Sequence, residues 1–246
     1  MHVGSFARPL VAFPLGGKAG SELPVTLLGD AAGPLKTAVK LPSEPGPFEA
    51  TFIDVPLRSE GGAPRAPSAN RVHAAPFGDV FEQPGHNSAD APQPVETPLP
   101  VALNGRIESE GEVDWYRISA KKGERFRVFG YGKTLDSELD PRIWIRPAPG
   151  NPSQKKYDED DSRWEPHDLV GHHYRHQQKL RLDPVFMFEP DTDGEWLIGI
   201  GDTRREFGPH HIYRIEFQPH VDSAFVHFPA YPSTPTIIRD RVTLFP

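Results

Sequence analysis

Apolar and polar residues alternate along this chain in short bursts, each stopped by glycine, proline or a charged turn. In "LPVTLLGD" (23–30), Val25 and Leu27 fall on one face and Thr26 and Leu28 on the other, as a partly buried strand requires. "LVAFP" (10–14), "LKTAVKLP" (35–42) and "FEATFIDV" (48–55) continue the pattern, and strands at this spacing predict a small β-sandwich. The region 101–218 is cleaner. "GEVDWYRISAKKGERFRVFGY" reads as two strands joined by the turn "AKKGE", with Tyr116 and Ile118 sharing a face of the first and Phe126 and Val128 a face of the second. In "PRIWIRP", Ile143 and Ile145 point one way while Arg142, Trp144 and Arg146 point the other. "DGEWLIGIGD" (193–202) and "HHIYRIEF" (210–217) complete the set, the latter with Tyr213, Ile215 and Phe217 on one side. No capped, amphipathic helix of useful length is present.

Composition sharpens this picture. Twenty-nine prolines and 22 glycines punctuate the chain too often for long helices, since proline removes a backbone donor and clashes inside a helical turn. Fifteen Phe, 6 Tyr and 4 Trp are too many for a disordered chain. Proline density peaks at 82–100, "EQPGHNSADAPQPVETPLP", which predicts a stiff, extended linker. The expected organisation is therefore a small Ig-like β domain at 1–81, the linker at 82–100, an antiparallel sandwich at 101–218 and an extension at 219–246.

Charge and residue usage exclude several functions. A net charge of −7 argues against a nucleic-acid binder, which needs a basic face to release counterions. The absence of cysteine excludes disulfides, thiolate-ligated zinc, iron–sulfur clusters and a thiol nucleophile. No apolar run approaches the ~20 residues that span a bilayer. The start, "MHVGSFARPLVAF", lacks a charged region followed by a long apolar one. The end, "TIIRDRVTLFP", is a strand-like run, and together they suggest an internal piece of something longer. No G-x-S-x-G elbow, phosphate-binding loop or dinucleotide fingerprint occurs, so a catalytic role is not expected.

The ordered series Asn104–Gly105, Asp114–Trp115–Tyr116, Gly123, Asp140–Pro141, Asp160–Asp161, Asp193–Gly194–Glu195–Trp196 and Tyr213–Arg214 resembles the bacterial pre-peptidase C-terminal (PPC) domain. The piece "AFPLGGKAGSELPVTLLGD" is similar to the small β-sandwich segment that precedes such domains in large secreted bacterial proteins. The resemblance implies a jelly-roll-like sandwich, a setting outside the cytoplasm (extracellular, cell-surface or periplasmic) and a non-catalytic accessory role. Some members bind calcium or extracellular polymers. The chain departs from the family in the insert "SRWEPHDLVGHHYRHQQKLR", which is longer and richer in histidine.

Three candidate sites follow. Asp158, Asp160 and Asp161, with Asp168 nearby, supply the carboxylate oxygens that calcium prefers, although no glycine bends the chain as in an EF-hand and the alternative is a solvated turn. His172 and His176 have zinc-ligand spacing, but His173 occupies the place of the zincin glutamate, so a metal-dependent hydrolase centred on these histidines is the weaker alternative. Trp144 between Arg142 and Arg146, extended by Trp164 and Tyr174, suits a face that stacks on and hydrogen-bonds to a polysaccharide or protein; cross-strand packing is the competing explanation. Trp115 and Trp196 are assigned to the core or its rim. The expectation is a binding module contacting extracellular polymer or neighbouring domains, or else a structural spacer stiffened by calcium.

Overall fold

The computed structural model describes residues 7–44, 51–55, 70–161 and 182–220, and the backbone of a strand pair at 224–225 and 243–244. The fold is all-β; the described residues hold no α-helix, and a 3-10 turn spans Lys133–Leu135. No helix among them is long and apolar enough to cross a membrane.

Two three-stranded sheets come first. β1 (Val11–Phe13), β3 (Glu22–Leu28) and β4 (Leu35–Lys40) pair antiparallel in the order β1-β3-β4. β2 (Gly16–Lys18), β5 (Phe52–Val55) and β6 (Asn70–Ala75) form the second, in the order β2-β6-β5, with β2 parallel to β6. Val25, Leu27, Val39, Val72 and Ala74 are buried between them, so the face that Val25 and Leu27 share is the inward one.

The rest is a larger sandwich. β7 (Asp79–Phe81), β9 (Ala102–Arg106), β11 (Phe126–Tyr131), β14 (Val185–Phe188) and β16 (Ile212–Pro219) form one sheet in the order β14-β11-β16-β9-β7. β8 (Gln93–Pro94), β10 (Val113–Ala120), β12 (Pro141–Pro147), β13 (Tyr157–Glu159) and β15 (Gly194–Asp202) form the other in the order β13-β12-β15-β10-β8. Between β9 and β16 the strands pair first with last: β9 with β16, β10 with β15, β11 with β14 and β12 with β13. A long hairpin rolled up in this way is a jelly roll, as the resemblance implied. Its core is built from the inward positions of every strand, among them Tyr116, Ile118, Ile143, Ile145, Trp196, Ile198, Ile215 and Phe217.

The stretch 82–100, expected to be a linker, runs from the edge of one large sheet to the edge of the other and supplies β8 to the second. β7 leads into it along β9, and β8 lies parallel to β10 with Gln93 opposite Tyr116. The Gln93 amide closes the span, donating to Phe81 O at 2.9 Å and accepting from Gln83 N at 2.8 Å. Proline fits because these are edge strands, where a missing donor faces no partner. β6 and β7 are separated only by Pro76, Phe77 and Gly78, and a buried cluster of Val11, Leu15, Phe129, Tyr131, Val185 and Ile212 joins the small sheets to the jelly roll.

Candidate functional site

Three arrangements stand out, and the first was anticipated. On β12 the inward isoleucines force Trp144 outward, and on β10 the inward Tyr116 and Ile118 do the same for Trp115. Both indoles pair across β15 with the same residue, Gly199, so Trp115, Gly199 and Trp144 lie in one cross-strand row. A Cβ on Gly199 would sit 3.0 Å from the Trp115 ring, so glycine lets that ring approach the strand closely and a side chain there would push it outward. Trp144 leans towards Gly201 in the neighbouring row. The guanidiniums complete the surface: Arg146 lies 4.8 Å from the Trp115 ring centroid and Arg142 5.2 Å from that of Trp144, both within cation–π reach. Arg142 also donates two hydrogen bonds to Asp158, at 2.7 and 2.8 Å, which hold the Asp158 carboxyl below its usual range. The indoles, Val113, Arg146, Lys156, Tyr157 and Asp158 line a groove of about 360 Å³.

The structure thus brings Trp144, Arg142 and Arg146 together and adds Trp115, which we had expected in the core or its rim; Trp196 is the one in the core. The period-two pattern that made Tyr116 inward already required Trp115 to face out. Trp164 and Tyr174 lie outside the described residues, as do Asp168, His172, His173 and His176.

The acidic residues are arranged differently from the expected calcium loop. Asp158 is engaged by Arg142, and Asp160 Oδ1 accepts the Asp161 amide at 3.0 Å, the local turn bond that was the competing reading. Among the described residues, the carboxylates that converge are instead Glu82, Glu112 and Asp114, whose ligand atoms lie within 4.8 Å of one another. They come from the end of β7 and the start of β10. Asp114 is 1% exposed; its Oδ2 accepts the Tyr213 hydroxyl at 2.7 Å, while Oδ1 is buried without a hydrogen-bond partner. Burial pushes the Asp114 carboxyl up to about 8, the Tyr213 bond opposes this, and the charges of Glu82 and Glu112 add to it. Burial likewise raises Glu82.

This cluster fits a hard divalent cation in donor type and in its orphaned oxygen, since calcium takes six to eight oxygens and neutralises crowded carboxylates. Glu112 has the least to offer, because its Oε2 already accepts from Glu108 N, Ser109 N and Ser109 Oγ. No sequence spacing announces the trio, since Glu82 reaches it only by pairing of β7 with β9.

The third arrangement is interior. Thr51 Oγ1 lies 2.9 Å from His73 Nε2, and His73 Nδ1 lies 2.8 Å from Glu216 Oε1. Arg214 Nε donates to the same Glu216 oxygen at 2.6 Å, and its Nη1 donates to Asp79 and, at 2.9 Å, to Asn104 Oδ1. Burial alone would raise Glu216, but His73 and Arg214 overcome it and hold the carboxyl down at about 2. Hydroxyl, imidazole and carboxylate follow the order of a hydrolase triad. Here Thr51, His73 and Glu216 are 7%, 2% and 0% exposed, and the imidazole packs against the rings of Phe52 and Tyr131, which also meet each other edge to face.

No protein-family model matches the chain, and no curated protein matches it. The resemblance to PPC domains rests on the motif series alone.

Proposed function

We propose that this chain is a non-catalytic accessory module of an exported bacterial protein, and that it holds an extracellular polysaccharide on the outer face of the sheet containing β10, β15 and β12. The observation that carries this reading is the row Trp115–Gly199–Trp144. The two half-buried indoles lie over the glycines of β15, Trp115 on Gly199 and Trp144 towards Gly201, so together they make a flat aromatic floor along which a sugar ring can rest while the adjacent guanidiniums bond its polar rim. The triad-like group is a clamp in this reading, because burial of its hydroxyl and imidazole suits joining the small sheets to the jelly roll. Affinity electrophoresis in polysaccharide-containing gels tests the proposal. Trp144→Ala should lose retention at least tenfold with its melting curve unchanged; retention that survives both Trp144→Ala and Trp115→Ala would retire it.

A second role is favoured by the orphaned Asp114 Oδ1. Calcium held by Glu82, Glu112 and Asp114 would fasten the 82–91 segment to the mouth of the jelly roll. The same segment already reaches Glu112 through Asn87, whose Nδ2 donates to Glu112 Oε1 at 2.6 Å. A melting temperature that rises with calcium, reverses with chelator and is insensitive to calcium in Glu82→Gln is the expected result; an unresponsive wild type would remove the role.

A further inference from the structure

The charges around the tryptophan groove narrow the kind of polymer it takes. We infer that the ligand is an acidic polysaccharide built of hexuronate rings, seated along Trp115 and Trp144 with a carboxylate on Arg146 and Lys156; this rests on the binding-face reading above. Three charged side chains line the groove: Arg146, Lys156 and Asp158. Asp158 is neutralised by its two-point contact with Arg142. Arg146 and Lys156 are exposed and have no acidic partner among the described residues, so two positive charges remain uncompensated at the groove. The neighbouring row shows what a compensated arginine looks like here, for Arg117 meets Glu195 at 3.6 Å.

An uncompensated pair of cations on a chain of net charge −7 is a local feature, set against the field of the rest of the molecule. Its chemistry matches a carboxylate. The Arg146 guanidinium is held over the Trp115 ring, which orients its planar fork, and a fork of this kind bonds both oxygens of a carboxylate at once. Register places Lys156 beside it: Ile145 pairs with Tyr157, so the next residue on each strand, Arg146 and Lys156, lies across the same strand pair. A neutral sugar would leave both charges unanswered; a uronate ring answers them from the same rim that stacks on the indoles.

The test uses the full chain and two polymers, polygalacturonate and hyaluronate, each compared with its fully methyl-esterified form, which keeps the rings and removes the charge. Titration calorimetry should show at least tenfold tighter binding to the acid forms at low salt, with the ratio shrinking as salt screens the contact. The double variant Arg146→Gln/Lys156→Gln should bring acid and ester within about twofold of each other, chiefly by weakening the acid forms, with its melting curve unchanged because both side chains are exposed. Trp144→Ala should weaken both forms alike. Equal affinity of the wild type for acid and ester, or a ratio that survives the double variant, overturns acid selectivity and leaves the binding face standing. Failure to bind any of the four polymers overturns both.

Discussion

Replacing Arg214 with methionine tests the interior network directly. The guanidinium is fully buried and is a shared partner of Glu216, Asp79 and Asn104. Removing it leaves the 0%-exposed Glu216 with His73 and Gln218 and strips Asp79 of its charge partner. Breaking a buried ion pair from one side typically costs ~3–5 kcal/mol, because the surviving charge stays desolvated. Linkage gives a second route to the size. A carboxyl moved from 4.5 to about 2 corresponds to roughly 3 kcal/mol at 1.36 kcal/mol per unit, supplied by His73 and Arg214 together. Because the folded value lies below the unfolded one, this stability is present above pH 4.5 and is lost as pH falls towards 2. In Arg214→Met the folded value rises, so the loss between pH 4.5 and 2 should flatten. Guanidinium unfolding followed by fluorescence of the core Trp196 reads both effects. A variant within about 1 kcal/mol of wild type at pH 7, or one whose acid limb keeps the wild-type slope, would refute the account. Arg214→Met/Glu216→Leu should be less destabilised than the sum of the single changes, since no charge is then left alone.

Other expectations follow from the same geometry. Gly199→Val should displace the Trp115 ring and cut polysaccharide retention at least tenfold while leaving the strand paired, as read by affinity electrophoresis beside far-UV circular dichroism. Asp114, raised to about 8, should make the calcium-free protein lose stability as pH climbs from about 4 to 8, because the unfolded carboxyl ionises first. Calcium should offset that loss, giving a larger melting shift at pH 8.5 than at pH 6 and about 2.7 kcal/mol at a hundredfold excess over Kd; equal shifts at both pH values would count against the site. Asp183 accepts the amides of Gly132, Lys133 and Thr134, so Asp183→Ala should cost roughly 2–3 kcal/mol in chemical denaturation.

The antiparallel sandwich and the outward Arg142–Trp144–Arg146 face were readable because a strand with one buried side writes its orientation into every second residue, whereas the jelly-roll order was implied only by the resemblance. β16 shows where that reading stops. Tyr213, Ile215 and Phe217 were correctly placed on one side, yet Arg214 and Glu216, on the other, are also buried, covered from the side of the small sheets. Polar residues at alternate positions look solvated in one dimension; their burial depends on His73, 143 positions from Glu216. β8 was missed for a different reason. Gln93–Pro94 is too short to alternate, and its place is fixed by backbone pairing to β10. The converging Glu82, Glu112 and Asp114 are invisible for the same cause, since strand pairing and not spacing gathers them.

Because 82–100 carries the chain from the edge strand β7 to the edge strand β8, the jelly roll has no seam there. A gene rearrangement that broke the chain there would separate β7 from β8 and take an edge from one half or the other. The piece of chain that must be kept whole for the jelly roll therefore begins at β7 and not at residue 101.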